Sequence, residues 1–189
     1  EQARQAETFG SLGVGILIVL FAIYCMLALP LKSYTQPLIV MSVIPFGFIG
    51  AVLGHWIMGV TMTILSVLGL MALTGVVIND SLVLVDFVNQ RHRAGGESFS
   101  SAVRRAGVVR FRPVMLTSVT TFMGLTPLLM DESSSAMFLV PMAISLGFGI
   151  LFATLITLIL VPTNLLIADD ARRFFKRRAE EIKDAVTAS

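Results

Sequence analysis

The sequence is poor in the residues that soluble enzymes use for chemistry. Its 189 residues include one cysteine, two histidines, one tryptophan and two tyrosines, and only 14% are charged. A lone Cys25 excludes an intrachain disulfide and leaves the redox compartment undetermined. There is no H-E-x-x-H helix for zinc, no G-x-S-x-G nucleophile turn and no phosphate-cradling glycine loop. The ten methionines are scattered at core-type positions, which does not suit copper. An intramembrane aspartyl protease needs two aspartates on different helices, whereas Asp80 and Asp86 share one segment. The chain therefore does not read as an enzyme, and no metal or cofactor is expected. A net charge of +2 is mild. Its basic residues flank apolar blocks, which excludes nucleic acid as the partner they serve. The N-terminal EQARQAETFGS lacks the basic region and cleavage site of a signal peptide, and reads as the end of something longer.

What the chain does have is hydrocarbon. Hydrophobic residues make up 56% of it and the mean hydropathy is +0.87, where a soluble domain is nearer half apolar and a quarter charged. The apolar residues fall into five nearly uncharged blocks, 12–29, 37–57, 63–88, 113–130 and 138–168. Each is long enough to cross about 30 Å of hydrocarbon at ~1.5 Å per residue. With no water to satisfy a backbone there, the blocks are predicted to be helices, which gives an all-α integral membrane protein whose first partner is the lipid bilayer. No internal repeat is visible.

Alternating sides across five spans puts thirteen of the fourteen Lys and Arg on one face, and the positive-inside rule makes that face cytoplasmic. The N-terminus and the connections GHWIMGVTM and MDESSSAM then face outward, with Trp56 at the interface. Labels at Ser134 and Ser101 are expected on opposite sides. Between the third and fourth spans, Gly95 and Gly96 are predicted to stop one helix and Ser98 to cap another. Phe99, Ala102, Val103 and Ala106 recur at i, i+3, i+4 and i+7. That spacing predicts a short amphipathic helix over 98–107 on the inner membrane surface, ended by Gly107. A basic tail, 169–189, follows the last span. Gly47, Gly50 and Gly54 give small residues at four-residue spacing, which points to close helix packing.

The stretch GVVINDSLVLVDF, residues 75–87, holds the polar residues that matter most. Asp80 sits roughly 12 Å inside the third block if Val88 marks its boundary. Burying an aspartate near a membrane helix centre costs about 2.5–3.5 kcal/mol on insertion scales. Desolvation there disfavours the anion. Asp80 therefore reads in two ways: as a proton-coupling carboxyl, or as a neutral strut hydrogen-bonded to a neighbouring helix. Asn79 and Asp86 share a face, with Asp80 about 100° away. Asp86 reads as a solvated ion pair with Arg91 or Arg93. Thr117, Thr120 and Thr121 form a polar stripe whose hydroxyls bond back into their helix or across to another.

SYTQPLIVMSVIPFGFIGAVLG, LTGVVINDSLVLVDF, RFRPVMLTSVTTFMGLTPLL and the VPTN close of the fifth block occur in that order. Together they resemble the last five transmembrane helices of resistance-nodulation-division (RND) efflux pumps, in the hydrophobe/amphiphile multidrug branch, over nearly the whole chain. The resemblance implies helices eight to twelve of a proton-driven, twelve-helix bacterial inner-membrane permease. It also implies as partners the remaining half of the permease, a homotrimeric assembly, a periplasmic adaptor and an outer-membrane channel. It assigns a part in the proton relay to the positions of Asn79, Asp80, Thr117 and Arg110. The family's relay lysine is replaced here by Asn79, and the aspartate pair it serves belongs to a helix that this chain lacks. Two alternatives stand beside the pump: a membrane packing or assembly module, and a relative that moves lipids or assists protein export.

Overall fold

The computed structural model describes residues 2–187 apart from 96, 97, 132, 134 and 135. Gly96 and Ser134 thus lie outside the described residues. Six helices follow in order: α1 (Gln2–Leu31), α2 (Gln36–Met41), α3 (Ile44–Met58), α4 (Ile64–Arg93), α5 (Phe99–Leu129) and α6 (Val140–Thr187). A 3-10 turn, Ala136–Phe138, precedes α6, and no strand occurs among the described residues. Among the described residues, four stretches are long and apolar enough to cross a membrane: Gly13–Leu31, Gln36–Met58, Ile64–Arg93 and Val140–Phe174. The chain is an all-α membrane protein. Helix α5 falls outside that group because its uncharged stretch, 113–129, is short and begins directly after Arg112.

Helix α6 is the centre of the bundle, packed against α3, α4 and α5, while α1 touches only α2 and α4 to any extent. Close approach of α3 to α6 depends on missing side chains. A Cβ built on Gly50 would lie 2.5 Å from Phe152 Cβ and 3.0 Å from the Phe148 carbonyl oxygen. One on Gly54 would lie 2.5 Å from Phe148 Cβ, and one on Gly47 would lie 3.0 Å from Leu73 Cδ2. On α6, a Cβ at Gly149 would collide with Leu73 of α4 and lie 3.3 Å from the Gly47 carbonyl oxygen. Helix α1, by contrast, presents Val14, Leu17, Ile18, Phe21, Met26 and Leu29 outward. Such a surface is compatible with lipid or another helix and not with water.

Three local features depart from the sequence reading. The second span is broken at Ser42–Val43, because Pro45 has no N–H to continue the ladder and its ring crowds the preceding turn. Ser42 Oγ donates to the Ile39 carbonyl at 2.6 Å and accepts from Asn164 Nδ2 of α6 at 3.2 Å, which satisfies the break. Residues 98–107 are not a separate surface helix. Ser98 caps as expected, its Oγ accepting from the Ser101 N–H at 3.3 Å, but α5 then runs unbroken through Gly107 and Pro113. Its Ala102, Val103 and Ala106 are buried in the protein core instead of lying on the bilayer. Burial of that face outweighs the roughly 1 kcal/mol that an interior glycine costs a helix. Finally, α6 continues as helix through the basic tail to Thr187.

Left-handed glycines terminate the two helices that need it: Gly59 (φ 66) closes α3 and Gly95 (φ 77) follows α4. At the α3–α4 turn, His55 Nδ1 lies 2.9 Å from the Ala51 carbonyl and Nε2 lies 2.9 Å from Ser66 Oγ. A carbonyl only accepts, so Nδ1 carries the proton, and in the neutral ring Ser66 donates to Nε2. Ser66 Oγ also accepts the Thr63 N–H at 3.0 Å, completing a capping box with Thr63.

Candidate functional site

The polar residues of α4 lie beside the face that the helix buries in the bundle. Val77, Ile78, Ser81, Leu84, Val85 and Val88 are buried and seal α4 into the bundle. Ser81 hides its hydroxyl by donating to the Val77 carbonyl at 2.8 Å. Asn79 is exposed and Asp80 is half-buried. Among the described residues the Asp80 carboxyl has no hydrogen-bond or ion-pair partner. No described residue ties it to a neighbouring helix.

Arg110 reaches α4 from α5. Its guanidinium lies over the Phe87 ring at 4.9 Å, while Arg91 stacks on the same ring at 5.4 Å. Its Nε is buried without an acceptor, and a buried donor left unpaired costs about 1–3 kcal/mol. Phe87 is seven residues from Asp80, so the two share a face of α4 about 10.5 Å apart along its axis. Helix geometry thus stacks a carboxyl and a guanidinium, neither with an ion-pair partner among the described residues, two turns apart on one side of α4. The arginine contact is a cross-helix feature with no signal in the sequence.

Thr117 is less engaged. It is exposed, and its hydroxyl donates to the Val114 carbonyl of its own helix at 2.9 Å. Thr120 and Thr121 likewise donate to carbonyls one turn back, at 2.8 Å each. Of the two uses the sequence allowed these hydroxyls, the stripe takes the first. No hydrogen bond or ion pair among the described residues joins Asn79, Asp80, Thr117 and Arg110 to one another. Asp86 is also not an ion pair: it accepts from Gln90 Nε2 at 2.6 Å, one turn along, and Arg91 turns to Phe87 instead.

The polar contacts that bridge helices lie elsewhere. Ser118 and Thr154 are both buried, with hydroxyl oxygens 2.6 Å apart between α5 and α6. Ser118 donates to the Val114 carbonyl at 3.0 Å, so Thr154 supplies the proton between them. Gln36 and Asn89 exchange a reciprocal pair of amide hydrogen bonds at 2.9 and 2.8 Å, tying α2 to α4. The sequence reading singled out neither pair, because each depends on which helix faces meet.

The sequence and the arrangement of helices are similar to those of known proteins. Residues 1–168 match the AcrB/AcrD/AcrF family. The chain belongs to that family. It is 31% identical over 183 residues to multidrug resistance protein MdtC of Cronobacter sakazakii, covering 97% of this chain and 18% of that protein. It is 29% identical to the MdtC of Proteus mirabilis over 95% of this chain and 17% of the relative. The chain thus spans under a fifth of the length of the curated relatives it matches. Two crystal forms of a heavy metal efflux pump share the fold, with TM-scores of 0.74 and 0.77 at 22% and 24% identity over 88% of this chain and 16% of the pump. Membership places the chain among RND permeases, which are transporters of the inner membrane.

Proposed function

We propose that residues 1–189 form the C-terminal transmembrane half-domain of a proton-driven RND permease that exports hydrophobic or amphiphilic compounds. In this reading it works as a homotrimer with a periplasmic adaptor and an outer-membrane channel. The observation that carries the proton-coupling part is the unpaired Asp80 carboxyl, half-buried on a membrane-length helix, with the unpaired Arg110 guanidinium two turns away on the same side. A permanently tied structural carboxyl needs a partner on a neighbouring helix, and this one has none among the described residues. Asn79, exposed beside it, and Thr117 on α5 are the further polar groups that a proton route would use. In this reading the remaining half of the permease packs against the face that the exposed Asn79 and Thr117 occupy.

Orientation follows the charges. The α1–α2 connection, the end of α4 and the second half of α6 gather at one end of the bundle, where they line a common cavity. That end carries Lys32, Arg91, Arg93, Arg172 and Arg173, and is the cytoplasmic one in this reading. The N-terminus then starts on the periplasmic side.

The test of coupling is Asp80→Asn in the whole permease carrying this chain. Asn keeps the shape and most of the hydrogen bonding of a neutral carboxyl and does not titrate. The expected result is normal expression and assembly with proton-driven export lost. Intact export would reduce Asp80 to a packing element and favour the assembly-module reading.

A further inference from the structure

One end of the bundle encloses a cavity that the proposed transport chemistry does not use. Its volume is about 730 Å³, and it lies between the α1–α2 connection, the end of α4, the start of α5 and α6. The inner wall is apolar, formed by the buried Leu31, Ile39 and Leu165. The rim carries three exposed cations, Lys32, Arg93 and Arg172. None of the three has a carboxylate within ion-pair distance among the described residues. The single acidic residue on the wall, Asp169, is held by Arg173 at 2.8 Å. The reciprocal Gln36–Asn89 amide pair, which also lines the cavity, fixes α2 against α4 and so fixes the cavity's width.

Lys32 supplies a second, independent observation. It is the one non-glycine residue with positive φ (50°) among the described residues. That conformation suits glycine and strains a side chain. The end of α1 therefore holds a lysine at the rim in a backbone conformation that a glycine would adopt freely, and such strain recurs at ligand clamps.

We propose that this cavity binds the phosphate group of an anionic phospholipid. The rim cations receive the phosphate, and the apolar wall receives the glycerol and the first part of an acyl chain. A cavity this size is within the range of about 300–1,000 Å³ that takes ligands far larger than a bare phosphate ion. A free phosphate would also leave the Leu31, Ile39 and Leu165 wall without purpose. Basic pockets between helices at the cytoplasmic surface suit lipid headgroups of this kind. Assignment to the inner leaflet rests on the orientation proposed above; the phosphate chemistry does not.

The test uses the whole permease carrying this chain, reconstituted in nanodiscs of mixed phosphatidylcholine and phosphatidylglycerol, with retained lipid counted by native mass spectrometry. Phosphatidylglycerol should be retained in preference to phosphatidylcholine. Lys32→Gly, Arg93→Gln and Arg172→Gln should each lower that preference about fivefold. Arg104→Gln, an exposed cation outside the cavity, should leave it unchanged. Lys32→Gly relieves the positive φ, so its thermal stability in phosphatidylcholine alone should equal or exceed the parent's. Preference that survives the Arg93→Gln/Arg172→Gln double variant would overturn the site, as would equal losses from Arg104→Gln. Destabilisation of Lys32→Gly in phosphatidylcholine alone would overturn the role given to Lys32. Displacement of the lipid by inorganic phosphate alone would overturn the lipid as its source. If side-specific labelling reverses the orientation while the preference and its loss remain, the leaflet changes and the site stands.

Discussion

Single residues in this bundle differ most in whether their polar atoms are spoken for. Ser66 serves both the α4 cap and His55, so Ser66→Ala removes two hydrogen bonds and is expected to destabilise the permease by about 1–2 kcal/mol. A thermal or denaturant unfolding midpoint in detergent reads it. The buried Ser118–Thr154 pair should show a coupling energy of about 0.5–1.7 kcal/mol in a double-mutant cycle, the range of hydrogen bonds between membrane helices. Outside the spans, Asp131 accepts the Ser133 N–H at 2.8 Å, and that bond, with a further one from the Ser133 side chain, holds its carboxyl below the usual aspartate value. A depressed value means that the ionised form favours the turn. The turn's stabilisation is therefore present above the ordinary carboxylate range and is lost as pH falls through the lowered value. The Ser133 amide chemical shift should report that transition, and Asp131→Asn should abolish it. Asp80 was legible from sequence because depth alone makes a carboxyl in an apolar helix conspicuous. Arg110 over Phe87 was not, because it depends on which faces of α4 and α5 meet.

At the scale of elements, glycine decides how near α3 comes to α6. The atoms that a Cβ on Gly50 would meet are Phe152 Cβ, the Phe148 carbonyl and Gly149 Cα. None of them moves by rotating a side chain, so Gly50→Ala must push the helices apart and is expected to cost about 1–3 kcal/mol. Gly15 on α1 has nothing within 4 Å of the same added carbon. Gly15→Ala should therefore be neutral or stabilising by up to about 1 kcal/mol through helix propensity. Opposite signs for the two variants in one unfolding assay separate packing from propensity. The helices themselves were readable because apolar blocks of membrane length have one answer for their backbones. Two details were not. The S-V-I-P run carried the break between α2 and α3, but hydropathy averages over it. The apolar stripe of residues 99–106 showed which side of α5 is oily, and periodicity does not say whether lipid or Val85 and Val88 will cover that side.

Across the whole molecule, the charge asymmetry makes a testable map. With Cys25 replaced by serine, a cysteine at Ser133 should react with an impermeant thiol reagent from the periplasm, and one at Ser101 only after the membrane is opened. Both positions are exposed; the reverse pattern would invert the topology. Cells making these residues alone should export nothing, since the face bearing Asn79 and Asp80 has no counterpart carboxylates in the chain, and drug accumulation assays would detect any exception. Helix α6 adds a mechanical consequence. Its 48 residues make a rod of about 72 Å, and the part beyond Phe174 extends about 20 Å past the apolar stretch. Three helices grip its upper half, and helix continues unbroken through Pro162. A tilt of about ten degrees within the bundle would therefore swing the projecting end by about 3.5 Å, so α6 is a lever whose long arm lies in the apolar stretch and whose short arm reaches beyond it.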